Sequence, residues 1–244
     1  MRLENVTVVI PYYQDHARLM TIMDQPLLER FKQVILIDDA SIEQPAVPVV
    51  RDAVEEFGGD VRLFRVIVNY GFNAHGCRNL GAREANTEWL LFLDVDCEPT
   101  HEFIDALQKE IEECPDDQFV LCNLMGGDPG NIFAVRRWDF WRAGGYDEEL
   151  RGYHMGDKIF RERLDSLVTP RLMETQLPIN RTGRKIVTDD AVFLTEYPDD
   201  DTCIQRSQKH IQPILEMIQE RNRDQSQWKH IPNVNFTYDE VVVP

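Results

Sequence analysis

The chain has 244 residues, 43% hydrophobic and 28% charged, an ordinary balance for a soluble globular fold with a sizeable core. Its formal net charge of −17 at pH 7 makes a nucleic-acid partner unlikely without excluding one, and it disfavours anionic membranes. The five cysteines (Cys77, Cys97, Cys114, Cys122, Cys203) are odd in number and form no C-x-x-C pair. That argues against a disulfide framework and a cysteine zinc site, and for a reducing, cytoplasmic setting.

Residues 1–5 lack an apolar signal core, and no apolar run approaches the roughly 20 residues of a membrane span. An acidic chain that holds a phosphate needs a bridging cation, so paired carboxylates are the feature to look for.

Val6 to Ile10 reads as a first strand, stopped by Pro11. Asp15 to Phe31 has helical character, interrupted by Pro26. Val34 to Ile37 is wholly apolar, as expected of a strand buried on both faces, and it ends at Asp38-Asp39-Ala40-Ser41. A helix is expected from Val49 to Phe57, closed by Gly58-Gly59, and a third strand from Val61 to Val68. A glycine-bearing loop leads to a helix over Cys77 to Ala85, and Trp89 to Leu93 is a fourth strand ending at Asp94-Val95-Asp96. Such alternation implies βαβ units and a mostly parallel sheet with helices on both faces. Ligands then bind beyond the carboxyl ends of the strands, where both acidic pairs lie.

The second half is less regular. Helices are expected at 101–113, 137–143, 157–165 and 202–223, and strands at 119–124, 132–135 and 191–194. Residues 224–244 read as a polar tail.

Asp94 and Asp96, at i and i+2 of an extended segment, project to one side and can reach one cation together. Carboxylates suit Mg²⁺ or Mn²⁺. Asp38-Asp39 could simply form a turn or accept hydrogen bonds from a base or ribose. Arg78 could grip a diphosphate or make a surface ion pair. Asp157 could be a helix cap. His154 could be a metal ligand or a structural histidine. No G-x-x-x-x-G-K-S/T loop, G-x-G-x-x-G fingerprint, H-E-x-x-H or G-x-S-x-G is present.

Taken in order, Val6–Tyr13, Ile37–Ser41, Arg78–Ala82, Phe92–Asp96 and Gly144-Gly145-Tyr146-Asp147-Glu148 resemble the inverting family 2 glycosyltransferases over about residues 4–165. The last segment is similar to the galactosyltransferase-type C-terminal region. The resemblance implies a GT-A fold in one nucleotide-diphospho-sugar-transferase domain over 1–223, with a donor half (about 1–98) and an acceptor half (about 99–223). It also implies Mn²⁺- or Mg²⁺-dependent transfer of a hexose from a UDP-sugar to a hydroxyl. The acceptor stays open: a glycan, a small molecule, a protein or a modified base.

By the same resemblance, Pro11 and Tyr12 line the base pocket and Asp39 reads the base. Arg78 and Asp94 bind the donor, and Asp94 and Asp96 hold the metal. Asp157 is the catalytic base, while Tyr146, Asp147 and His154 are candidates for the acceptor. The chain departs from the pattern twice. Gly156 replaces the Glu of the family's Glu-Asp pair, and residues 193–198 lack a histidine that relatives use for metal, which leaves His154 as a substitute ligand. Two other readings remain: a sugar-1-phosphate nucleotidyltransferase, which would need a glycine-rich basic loop after the first strand, and a non-catalytic module of the same fold.

Overall fold

A computed structural model describes residues 3–23, 27–69, 73–125, 130, 132–150, 156–180, 213, 215–230 and 234–242. The expected strand at 191–194, residues 202–212 of the expected helix, Cys203 and His154 lie outside them.

The described strands are β1 (Leu3–Tyr12), β2 (Phe31–Asp38), β3 (Val61–Val66), β4 (Trp89–Phe92), β5 (Gln118–Leu124), β6 (Phe133–Arg136), β7 (Thr169–Leu177) and β8 (Tyr238–Val241). They form one sheet in the order β7-β5-β6-β4-β1-β2-β3-β8. The central run β3-β2-β1-β4 is parallel throughout. β5 and β7 also pair in parallel, while β4–β6, β5–β6 and β3–β8 are antiparallel.

Because strand side chains alternate between faces, each central strand divides its apolar residues between two cores. Val6, Val8 and Ile10 of β1, with Val34 and Leu36 of β2, face α1 (His16–Met23), α3 (Val47–Phe57) and α5 (His101–Glu112). Val9, Ile35, Ile37, Leu90 and Phe92 face α4 (Ala74–Glu84), α6 (Arg137–Arg142) and α7 (Gly156–Asp165). Helices therefore cover both faces, as expected for strands that are wholly apolar.

Local signals behave as their chemistry dictates. Thr100 caps α5 by accepting from Phe103 N–H at 3.1 Å. Pro48 lies in the first turn of α3, and Gly58, at φ 71°, ends that helix. The expected 15–31 helix is instead α1, then a short α2 (Leu27–Arg30), with Phe31 already the first residue of β2.

β7 was not foreseen, because Pro170 disfavours a strand interior. The strand lies at the sheet edge, where a missing N–H is tolerated. Residues 215–223 of the expected 202–223 helix are helical. The segment read as a tail is also ordered into structure: Gln225–His230 form a 3₁₀ turn, and β8 pairs with β3 in the register Leu63↔Val241 to Val66↔Tyr238.

Candidate active site

β1, β2 and β4 end together, so three predicted segments meet at one sheet edge. Tyr12 pairs with Asp38 across β1 and β2, Asp39 N–H donates to the Tyr12 carbonyl at 2.9 Å, and Leu93 N–H donates to the Val9 carbonyl at 3.1 Å. Pro11, half-buried, and the Tyr12 backbone lie at this edge. The Tyr12 ring turns into the core, and its hydroxyl donates to the Gln44 carbonyl and accepts from Asp15 N–H. Burial pushes that phenol well above its ordinary pKa.

The adjacent acids have different partners. Asp38 accepts Ser41 N–H at 2.8 Å and Ala46 N–H at 2.9 Å, which builds the turn. Asp39 is buried and accepts Asn73 N–H at 2.6 Å, tying the end of β2 to the start of α4. Between them and Ser41, Ala40 adopts φ 56°, a left-handed conformation uncommon for alanine.

α4 begins at its cap residue Asn73, whose side chain accepts Gly76 N–H. The helix lies close against the sheet because Gly81 has no side chain: a Cβ there would come within 2.2 Å of Val9 Cγ1. This close seat aims His75 and Arg78, neighbours at i and i+3, at the strand ends. Arg78 is 3% exposed and its Nη2 donates to Asp94 Oδ1. Its Nη1 lies 3.8 Å from Asp157 Oδ1, in the first turn of α7, and its guanidinium sits 5.6 Å from the Tyr146 ring centre. Burial alone would lower the Arg78 pKa, but the carboxylates of Asp94 and Asp157, with the Tyr146 phenol beside them, outweigh it and the net shift is upward.

Asp94 and Asp96 are both half-buried on the loop after β4. Asn180 N–H donates to the Asp96 carbonyl at 2.8 Å, and a bridge between Cys97 and Ile179 pins the loop. Among the described residues, no group of three or more His, Cys, Asp or Glu side chains gathers into a metal cluster. Two carboxylates are nonetheless enough for a hard cation that takes its remaining ligands from phosphate and water.

The acceptor candidates Tyr146 and Asp147 are both fully buried in this structure. The Tyr146 ring stacks on His75 and Phe160 at 5.2 and 4.3 Å, and Asn79 clamps its backbone N–H and carbonyl at 2.8 and 2.9 Å. Asp147 accepts from Arg163 at 2.6 Å and from Arg221. Glu148 accepts from Asn79 at 2.9 Å, from Asn235 N–H at 2.9 Å, and from Val234 N–H. Gly144 and Gly145, at φ 81° and 66°, turn the chain so that these three side chains point inward. The Gly-Gly-Tyr-Asp-Glu run thus braces the floor beneath Arg78 and Asp157. Polar residues at the end of a glycine turn read equally well as solvated, and burial alone separates the two cases.

One site residue escaped sequence reading altogether. His75 Nε2 lies 3.0 Å from Asp157 Oδ1 and Nδ1 lies 2.8 Å from the Leu150 carbonyl. Its only sequence signal was its position three residues before Arg78.

The profile described as glycosyl transferase family 2 matches residues 7–170, more than half of the chain and every element just described up to β7. The chain belongs to glycosyl transferase family 2. It is 30% identical over 106 residues to a probable N-acetylgalactosaminyltransferase 9 of Caenorhabditis elegans, covering 43% of this chain and 18% of that protein. It is 25% identical over 199 residues to an uncharacterized glycosyltransferase of Haemophilus influenzae, covering 68% of this chain and 64% of that one. The chain thus spans less than two thirds of either relative. Among solved structures, the Pyrobaculum calidifontis mannosyltransferase PcManGT, in complex with GDP-Man and Mn²⁺, superposes with TM-score 0.59 at 16% identity, over 81% of this chain and 65% of that one. GalNAc-T7 with UDP, GalNAc and Mn²⁺ gives TM-score 0.58 at 17% identity, over 72% and 44%. The family 2 chain therefore has the GT-A fold of these glycosyltransferases.

Proposed function

We propose that this family 2 domain transfers a hexose from a UDP-sugar to an acceptor hydroxyl with inversion, assisted by Mn²⁺ or Mg²⁺. The observation that carries the reading is the placement of Arg78. One buried guanidinium addresses both Asp94 and Asp157 where β1, β2 and β4 end. A nucleotidyltransferase would instead place a basic glycine loop after β1, where this chain has Pro11-Tyr12-Tyr13-Gln14-Asp15.

In this reading Asp39 accepts a hydrogen bond from the base, and the backbone of Pro11 and Tyr12 walls the base pocket. Asp94 and Asp96 hold the divalent cation. When bound, the cation supplies Lewis-acid stabilisation of charge on the leaving diphosphate. Arg78 adds a fixed positive charge beside it, in a site where little solvent has to reorganise. Asp157 accepts the acceptor's proton as its oxygen approaches the anomeric carbon opposite the diphosphate, and that direction of attack inverts the centre.

Uracil is the favoured base because UDP accompanies GalNAc-T7 and one S. aureus TarS structure, although PcManGT carries GDP-Man. Among the described residues no helix is long and apolar enough to cross a membrane.

The test is a panel of UDP- and GDP-sugars, including UDP-N-acetylgalactosamine and UDP-N-acetylglucosamine, scored for Mn²⁺-dependent thermal stabilisation and slow release of the free nucleotide. Stabilisation and release with a UDP-sugar are expected. A chain that binds none of the panel in Mn²⁺ is not this enzyme, and one that binds without release is the non-catalytic module.

A further inference from the structure

His75 links two departures that look unrelated in the sequence. It lies on α4, one turn before Arg78, and its ring is buried between the Tyr146 ring and the start of α7. Both nitrogens face acceptors: the Leu150 carbonyl at 2.8 Å from Nδ1 and Asp157 Oδ1 at 3.0 Å from Nε2. A carbonyl never donates, and an ionised carboxylate cannot. The ring is also seated against residue 156. A Cβ on Gly156 would lie 2.4 Å from His75 Cε1 and 2.9 Å from each ring nitrogen, distances no real Cβ tolerates. The ring and a side chain at 156 therefore compete for one space, which here belongs to the imidazole.

We infer that His75 is a positioning residue for Asp157. Its Nε2–H donates to the carboxylate and fixes the rotamer, the ring is seated with Nδ1 2.8 Å from the Leu150 carbonyl, and Gly156 is required because it makes room for the ring. This rests on the reading of Asp157 as base. It accounts for the glycine that stands where the resemblance expects glutamate: the support for Asp157 comes from α4, across the site, instead of from the preceding residue. Among the described residues, the other charged or titratable groups around the ring are Arg78 on the same helix and the Tyr146 phenol beneath it, and both lie near Asp157 as well.

The test has a readout without turnover and one with it. In protein labelled with ¹⁵N at histidine, the His75 ring is expected to show a protected proton on Nε2, the nitrogen 3.0 Å from Asp157 Oδ1. In Asp157→Ala the Nε2 proton should exchange freely or disappear. A wild-type ring whose Nε2 carries no proton overturns the inference.

For turnover, release of UDP from the best UDP-sugar of the panel is followed with water as acceptor. His75→Ala and Gly156→Ala should each lower the rate roughly tenfold, part of the roughly 10²–10⁴-fold that a positioned base supplies. UDP affinity should stay within about twofold, and His75→Gln, whose amide can donate to Asp157, should recover part of the loss. In the Asp157→Asn background, His75→Ala should cost nothing more. An equal loss in both backgrounds overturns the inference, because His75 then acts independently of Asp157. Full turnover in Asp157→Asn removes the base assignment instead, and the ring-proton result still decides whether His75 holds that carboxylate.

Discussion

Arg78 Nη2 donates to Asp94 Oδ1, a pair in which the arginine side chain is 3% exposed and the aspartate 41%. The cation is fixed in the protein and the carboxylate stands at its surface, so Asp94 can turn toward a ligand while Arg78 stays in place. Lysine at 78 would keep the charge but lose the planar fork that addresses Asp94 and Asp157 together. Arg78→Lys is expected to weaken UDP binding in Mn²⁺ about tenfold, or about 1.4 kcal/mol. Calorimetry showing equal affinity would remove Arg78 from the donor site.

Removal of the cation should act through Asp96 as well as Asp94. EDTA is expected to abolish the thermal stabilisation by UDP, and Mn²⁺ or Mg²⁺ to restore it. Asp96→Ala should bind UDP as weakly with Mn²⁺ as the wild-type protein does in EDTA. If its melting temperature still rises with Mn²⁺ and UDP together, the pair after β4 is a loop feature only.

Base selectivity is expected to reside in Asp39, and the structure makes Asp39→Asn a cleaner probe than alanine. An asparagine oxygen can still accept Asn73 N–H, which Asp39 now accepts at 2.6 Å. Its amide would present donors to a base that itself donates. Asp39→Asn should therefore melt near the wild-type temperature and lose most of its preference for UDP over other nucleotides. Unchanged selectivity in a competition titration would place the base elsewhere.

Asp157 lies in the first turn of α7, and an asparagine there keeps an oxygen that can accept the same hydrogen bonds. Asp157→Asn is expected to retain its stability and UDP affinity and to lose roughly 10²-fold or more in turnover, since an amide cannot take the acceptor's proton. Retained turnover would assign the carboxylate to helix geometry.

Stability, as distinct from chemistry, should be sensitive at Asp147. Its side chain is fully buried against Arg163, itself 1% exposed, with Arg221 on its other oxygen. Burial lowers the Arg163 pKa and Asp147 opposes that shift, so removing the carboxylate leaves an arginine in the interior without its main counter-charge. Asp147→Ala should cost about 3–5 kcal/mol in urea unfolding. A loss below about 1 kcal/mol would mean that water reaches the arginines.

The fold was legible where burial on both faces left an unmixed apolar run. Val34–Ile37 and Trp89–Leu93 could be nothing but central strands, and the acids that follow them had to emerge at one edge. It was illegible where a strand is an edge. β7 carries Pro170, and β8 alternates Tyr-Asp-Glu-Val, so neither has a pattern that separates it from a loop. At the site, the family resemblance singled out Asp39, Arg78, Asp94 and Asp157, while residue type alone left each of them an ordinary structural reading. Residue type did not separate Asp38, which holds a turn, from Asp39, nor reveal that Tyr146 and Asp147 face inward. Those distinctions depend on the turn at Gly144-Gly145 and on side-chain direction. His75 was invisible because its meaning depends on the empty space at Gly156, 81 residues later.

The pairing of β8 with β3 also sets a timetable for the chain as it is made. Leu63 meets Val241, 178 residues later, which at about 5–20 residues per second is roughly 10–35 s of synthesis. Throughout that interval the outer edge of β3 presents unpaired N–H and C=O groups, the kind of edge that recruits other chains. Phe236 arrives on the same late segment and covers Gly76, where a Cβ would come within 2.7 Å of its ring. The start of α4, which carries the residues aimed at the site, is thus covered only once this late segment has been made. A nascent chain stalled before β8 should be the aggregation-prone species of this protein.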